Sequence, residues 1–288
     1  MARIAFIGLG VMGAPMARHL LAAGHSLAVT NRNGGKAREW VARNGGTFAA
    51  TPAAAAGNAD AVISCVGADA DLEQVTLGPD GAFRNMKPGA LFIDHTTVSA
   101  SIARRIAEQG ARQGFPCVDA PVSGGQAGAE NGQLSIMCGG SEAAMEAAEP
   151  LMGAYAARIV HVGPEGSGQL TKMVNQIAIA GVLEGLAEAL AFAKASGLDT
   201  AKVFEAVSGG AAQSWQMVNR WKTMDEGSFD FGFAVDWMRK DLGLALDEAR
   251  SNGASLPLAA LVDQFYGDVQ IMGGSRQDTS SLIRRLVR

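Results

Sequence analysis

Arg3-Ile4-Ala5-Phe6-Ile7-Gly8-Leu9-Gly10-Val11-Met12-Gly13 opens the chain with a short apolar run that ends in a glycine-rich turn. An apolar run, then G-x-G-x-x-G, then the helical pattern of 11–23 reads as strand, tight turn and helix. In that order the first glycine permits the turn. The second lets the backbone approach a pyrophosphate, and the third lets helix and strand pack closely. Amides at the helix start offer donors and positive potential to an anion. The stretch predicts a dinucleotide-binding α/β domain of the Rossmann type.

The alternation continues. Stretches 26–30, 61–66, 90–94 and 115–119 read as strands, with 36–43 and 99–113 as helices between them. Stretches 133–138 and 158–162 add two more strands around a helix at 142–152, and Ala53–Ala56 reads as a short helix. Strands separated by helices predict a doubly wound, mainly parallel sheet covered on both faces. Of the 9 prolines, all but Pro257 lie at or before Pro164, and from Ser167 onward strand signals vanish. Residues 167–195 read as one proline-free helix, roughly 40 Å long at about 1.5 Å per residue. Further helices follow at 201–208, 214–224, 235–251 and 258–272. The expected organisation is a dinucleotide-binding domain at 1–164 and an all-helical domain at 165–288 for substrate and oligomerisation, joined by the long helix.

Composition bounds the function. With 288 residues, 48% hydrophobic and 18% charged, the chain can bury a sizeable core. A net charge of −4 with no basic patch disfavours nucleic acid as a partner. No unbroken apolar run reaches the length of a membrane span, so no membrane partner is expected. Cys65, Cys117 and Cys138 are odd in number and widely spaced, which reads as buried free thiols in a cytoplasmic protein. His19, His25, His95 and His161 are scattered without metal-ligand spacing, so no metal is expected. Glycine, 37 of 288 residues or about 13% against a usual ~7%, falls in clusters that suit close backbone approach to ligands.

The second strand ends Val29-Thr30-Asn31-Arg32-Asn33, without the acidic residue that would bond a ribose 2′-hydroxyl. Asn31 carries no charge to repel a 2′-phosphate, and Arg32 can bind one, with Lys36 adding charge at the edge. NADP(H) is therefore preferred, with NAD(H) possible. Gly8, Leu9, Gly10, Val11, Met12, Gly13, Asn31, Arg32, Asn33, Val66, Gly67 and Thr97 form the expected cofactor lining with Lys36. Thr97 is available for a nicotinamide ribose because Ser99 is the better helix cap.

Asp119-Ala120-Pro121-Val122-Ser123-Gly124-Gly125 ends a strand in a second glycine turn, where Ser123 and bare backbone amides suit a carboxylate. Lys172, Asn175 and Gln176 stand at i, i+3 and i+4 on the long helix and share a face among apolar neighbours. A lysine directed toward a core is costly without a task, and burial brings its amine toward proton exchange. Lys240-Asp241, read alone, is a surface charge pair.

Together these stretches resemble the β-hydroxyacid dehydrogenase family over essentially the whole chain. The likeness rests on Gly8–Gly13 with Ala14-Pro15-Met16, on 119–125 with Gly128 and Gly132, on 166–176, and on Lys240-Asp241-Leu242. It implies hydride transfer between a nicotinamide and a small carboxylate-bearing aldehyde or 3-hydroxy acid. It implies Lys172 as acid/base, Asn175 beside the reacting centre, and Ser123, Gly124 and Gly125 on the substrate carboxylate. Lys240 would close over cofactor or substrate and Phe233 would line the pocket. The Asn31-Arg32 pair resembles the NADPH-using reductase branch. Some relatives carry Asn four residues after the lysine. Here Gln176 stands there and Asn175 one earlier, so both amides are candidates. The similar phosphogluconate branch is much longer. Imine reductases share the fold but usually replace the lysine, and they remain the competing enzymatic reading beside a cofactor-binding protein without turnover. Trp215, Trp221, Phe231, Phe233 and Trp237 are candidates for packing against a second copy, in a homodimer or homotetramer.

Overall fold

The computed structural model describes residues 1–287. The chain divides into two compact units, Met1–Lys172 and a second from Met173 onward.

The first unit runs β1 (Arg3–Ile7), α1 (Gly13–Ala22), β2 (Ser26–Thr30), α2 (Gly34–Asn44), β3 (Thr47–Phe48), α3 (Pro52–Ala56), β4 (Ala61–Ser64) and α4 (Asp69–Leu77). It continues with β5 (Leu91–Asp94), α5 (Ala100–Gln113), β6 (Cys117–Asp119), β7 (Val122–Ser123), α6 (Gly125–Glu130), β8 (Leu134–Gly139), α7 (Glu142–Met152) and β9 (Ala156–Gly163). One sheet holds all nine strands in the order β3-β2-β1-β4-β5-β6-β8-β7, with β9 paired to β8. From β3 to β6 every pairing is parallel. Strand β1 sits between β2 and β4, so the winding reverses there, and the carboxyl ends of β1 and β4 frame the crevice where open α/β sheets bind ligands.

Period-two burial explains why β1 is central. Ile4 and Phe6 join Met16, Leu20, Val29 and Trp40 on one face of the sheet. Ala5 and Ile7 join Val62, Phe83, Phe92 and Ile102 on the other. A strand buried on both faces needs apolar residues at every position, and β1 has them after Arg3.

Several elements depart from the sequence reading. Helix α4 carries only Leu72 and Thr76 as buried positions, too few for an apolar stripe to show. Strands β3 and β7 are two residues each and have no visible period. Strand β7 turns back antiparallel onto β8, pairing Val122 with Ile136 and Ser123 with Ser135, within the stretch expected to be a glycine turn. The residues after it form the short helix α6. Helix α1 begins at Gly13, two residues later than read, because Gly10–Met12 form the turn. None of the three cysteines forms a disulfide, and Cys65 is only half-buried, since it follows the end of β4 at the edge of the sheet.

Helix α8 (Ser167–Ala195) begins in the first unit and continues through the second. By length and composition alone it could cross a membrane. Its Gln169, Lys172, Gln176 and Glu184 are instead buried and bonded within the protein, as in a helix packed in a core. The second unit adds α9 (Thr200–Val207), α10 (Trp215–Asp225), α11 (Val235–Asn252) and α12 (Pro257–Ile271). They pack around Leu183, Leu190, Met217, Trp221, Met238, Leu242, Val262 and Tyr266. Trp221 thus belongs to this core, with its indole N–H on Thr200 O at 3.0 Å, whereas Trp215 and Trp237 are exposed.

Candidate active site

The glycine loop is shaped by steric demands that its own chain imposes. Gly8 has φ +97°, and a Cβ there would lie 2.2 Å from Cys65 O. A Cβ on Gly13 would lie 2.0 Å from Gly8 O. Gly10 is different: a Cβ there would meet nothing within 4 Å. Gly8 and Gly13 are therefore required by folding itself, while the bare backbone at Gly10 faces open space. That is the cradle a pyrophosphate needs, and the residues fit a nicotinamide dinucleotide. Val11 at 65% exposure forms the outer part of the turn, beside half-buried Met12.

The end of β2 is fastened to this loop. Asn31 Oδ1 accepts from Leu9 N at 3.0 Å, and Asn31 Nδ2 donates to Asn33 O at 3.2 Å. Asn33 caps α2 by accepting from Lys36 N at 3.2 Å. The two asparagine side chains thus serve the local backbone, and Arg32 is the residue left to project. Its side chain is 92% exposed and pairs with Asp71 of α4 at 3.3 Å. Val66, Gly67 and Thr97 lie half-buried beyond the ends of β4 and β5, and Ser99 caps α5 through Ile102 N at 3.1 Å.

Lys172 is 8% exposed, and its Nζ donates to Val122 O at 2.9 Å. Val122 is the residue before Ser123, so the ammonium sits beside the second glycine turn. Gly124 has φ +127° and Gly125 φ +61°, conformations that favour glycine and leave the turn without side chains. The structure therefore brings together Lys172, Ser123, Gly124 and Gly125 within the first unit.

In the second unit, Gln176 Nε2 donates to Asp241 Oδ2 at 2.7 Å, and Asn175 Nδ2 donates to Gln176 Oε1 at 2.7 Å. Lys240 pairs with Asp241 at 3.2 Å and lies over the Trp237 ring at 5.5 Å. With side-chain exposures of 22% and 3%, the Lys240–Asp241 pair is not the surface pair that its sequence suggests. Phe233 is held by its backbone, since Asp278 Oδ2 accepts from Phe233 N at 3.0 Å while Asp278 Oδ1 accepts from Arg220 Nε at 2.9 Å.

Residues 3–163 match the family model described as the NAD binding domain of 6-phosphogluconate dehydrogenase. Residues 166–286 match the model described as NAD-binding of NADP-dependent 3-hydroxyisobutyrate dehydrogenase. The chain belongs to the β-hydroxyacid dehydrogenase family. An uncharacterized oxidoreductase of Shewanella frigidimarina is 59% identical over 286 residues, covering 99% of this chain and 98% of the relative. The 2-hydroxy-3-oxopropionate reductase of Escherichia coli is 35% identical, covering 99% and 97%. A solved structure of Mycobacterium tuberculosis 3-hydroxyisobutyrate dehydrogenase with L-serine superposes with TM-score 0.90 at 31% identity, covering 99% of each chain. The chain is accordingly a nicotinamide-dinucleotide-dependent oxidoreductase of this β-hydroxyacid dehydrogenase family.

Sequence reasoning missed a buried polar layer under the site. Asp94 Oδ1 accepts from Ser64 Oγ and from Thr96 Oγ1, each at 2.6 Å. Thr96 Oγ1 in turn accepts from Val66 N at 3.0 Å. Asp119 accepts from Gly166 N at 2.7 Å and Gln169 N at 2.9 Å, and burial pushes its carboxyl up to about 7 despite those two donors. His95 bridges Ala120 O at 2.6 Å and Tyr155 Oη at 2.8 Å, and burial lowers its pKa to about 4. One signal was available: β5 and β6 each end an apolar run in aspartate, at the sheet edge where the ligand is expected.

Proposed function

We propose that this chain is an NADP-preferring reductase of small aldehydes that carry a carboxylate, able to oxidise the corresponding hydroxy acids in reverse. The observation that carries the reading is Lys172: a buried lysine whose Nζ lies 2.9 Å from Val122 O, beside Ser123 and its glycine turn. Gly8–Gly13, Val66, Gly67 and Thr97 would hold the dinucleotide, which when bound supplies or accepts the hydride.

The residues of the chain do the rest. The bond from the Lys172 ammonium to Val122 O orients the group beside the second glycine turn, where it can meet a substrate oxygen. Lys172 then stabilises negative charge developing on that oxygen and gives it a proton. In the oxidative direction the neutral amine takes the hydroxyl proton. Ser123 Oγ and the Gly124 and Gly125 amides hold the carboxylate, which fixes the reacting carbon and lowers the entropic barrier. In the helical unit the proposal assigns Asn175, Lys240 and Phe233 to substrate and cofactor. Asn175 is favoured over Gln176 because Gln176 is 2% exposed and uses both ends of its amide within the chain.

The cofactor preference is supported by the end of β2. No acidic residue ends β2 to bond a 2′-hydroxyl, and Arg32 and Lys36 are exposed cations at that edge.

The test is a panel of small semialdehydes, hydroxy acids and a cyclic imine, each assayed with both cofactors, on wild type and Lys172→Ala. Turnover of semialdehydes that falls by about 10²–10⁴ in the variant, with nucleotide binding retained, supports the reading. Turnover of the imine alone transfers the chain to the imine-reducing class. Undiminished turnover by Lys172→Ala removes the acid/base.

A further inference from the structure

Gln169 is fully buried, one helical turn before Lys172. Its side chain reaches out of α8 to the segment after β5. Gln169 Oε1 accepts from Val98 N at 3.0 Å, and Gln169 Nε2 donates to Thr96 O at 2.8 Å. The two bonds bracket residue 97 on both sides, as a neighbouring parallel strand brackets a residue through the carbonyl before it and the amide after it. The bracket extends further, because Thr96 Oγ1 accepts from Val66 N at 3.0 Å. The backbone of Gln169 is itself fixed, donating to Asp119 Oδ2 at 2.9 Å.

Both backbone segments assigned to the dinucleotide on the β4–β5 side, Val66-Gly67 and Thr97, therefore hang on the helical turn that leads to Lys172. We propose that Gln169 is a positioning residue that sets the register between Lys172 and the cofactor segments at 66–67 and 97. The proposal rests on the functional reading of Lys172 and Thr97 given above. An amide supplies both the donor and the acceptor that this position requires at any pH. A carboxylate accepts but does not donate, and a thioether of similar length does neither well.

The experiment uses the full chain. Gln169→Met keeps the side chain's length and removes both bonds. Its kcat falls about 10²-fold, as expected for a displacement of the order of 1 Å between reacting groups. Its Kd for NADPH, read by titrating nucleotide fluorescence, rises about tenfold, corresponding to roughly one lost hydrogen bond's discrimination. Thr97→Val, which lowers nucleotide affinity on its own, adds less than about twofold in the Gln169→Met background, because residues acting as a unit are not additive. Gln169→Glu is the second variant. A protonated glutamic acid regains one donor and one acceptor, so its kcat relative to wild type rises as pH falls.

A folded Gln169→Met with kcat and Kd within twofold of wild type overturns the proposal, as does additivity with Thr97→Val. If Gln169→Met does not fold, a pH-independent kcat ratio for Gln169→Glu overturns it. If Lys172→Ala and Thr97→Val themselves leave kcat and Kd unchanged, the functional reading fails. If they act while Gln169→Met does not, only the positioning role fails.

Discussion

Two buried groups of the dinucleotide-binding unit make stability respond to pH in opposite senses, and their windows overlap. Asp119 has a folded pKa of about 7 against 3.8 in an unfolded chain, because burial outweighs the Gly166 and Gln169 amides that favour its charge. A carboxyl with a raised folded pKa gives stability that is fully present below about 3.8 and is lost as pH rises through about 7. At about 1.36 kcal/mol per pKa unit, the loss is on the order of 4 kcal/mol. His95 is the reverse. Its folded pKa of about 4 lies below the unfolded 6.5, because an imidazolium between Ala120 O and Tyr155 Oη would be buried charge. Its contribution is present above pH 6.5 and is lost as pH falls through about 4, on the order of 3 kcal/mol. Between those limits the two slopes are equal and opposite, so they cancel in the wild type. The prediction concerns the variants, measured by urea denaturation at half-unit steps from pH 4 to 7.5. His95→Gln uncovers Asp119, and stability falls by on the order of 3 kcal/mol from pH 4 to 6.5. Asp119→Asn uncovers His95, and stability rises over the same interval by a similar amount. Differences from wild type isolate each group from exposed carboxylates such as Asp60, whose pairing with Arg3 is common to all three proteins. Two variants that keep the wild-type slope would refute the reasoning.

Other outcomes follow from the loop geometry. Arg32→Ala raises Kd for NADPH by about 10–100-fold, the loss of charge-assisted hydrogen bonds, and leaves NADH within about twofold. Asp71→Asn removes the carboxylate 3.3 Å from Arg32 and tightens NADPH by a few-fold, with no effect when Arg32 is already alanine. Isothermal titration of both nucleotides checks both outcomes. Gly13→Ala forces a Cβ against Gly8 O and lowers stability by about 1–3 kcal/mol or more. Gly10→Ala meets no protein atom and keeps the wild-type melting temperature, yet it weakens nucleotide binding. Thermal melts with and without nucleotide separate the two glycines.

What could be read in advance followed strong local signals. The glycine run after β1 announced both the turn and the helix, because sterics at Gly8 and Gly13 leave no other residue type possible. Lys172 stood out because a lysine among Met173, Val174 and Ile177 is costly unless bonded, and it is buried on Val122 O. The layer beneath the site was nearly silent, its one signal being the aspartates that end β5 and β6. Asp94, Thr96, Asp119 and Gln169 are ordinary polar residues in sequence, and their meaning lies in partners as many as 73 positions away, as with Gln169 and Thr96. Strand β7 was likewise hidden, since two residues have no period and its partner β8 follows in the chain. Asn31 and Asn33 were read as ligand residues because of where β2 ends. Their side chains also satisfy the Leu9 and Lys36 amides, a use that nothing in the local sequence announces.

The amides of Asn175 and Gln176 show how a distant residue settles what spacing leaves open. An amide's oxygen and nitrogen have nearly the same shape, so orientation must come from chemistry. Asp241, when ionised, only accepts, so the Gln176 atom 2.7 Å from Asp241 Oδ2 must be the donating nitrogen. Gln176 then turns its oxygen to Asn175, which must answer with its own nitrogen, also at 2.7 Å. Asn175 Oδ1 is thereby directed away from the chain of bonds, and the half-buried asparagine presents an acceptor. A carboxylate 65 residues along the chain from Gln176 thus fixes the polarity of a side chain it does not touch. Replacing Asp241 with Asn would let both amides invert, so the polarity presented by Asn175 depends on a charge that the i, i+3, i+4 pattern of α8 cannot contain.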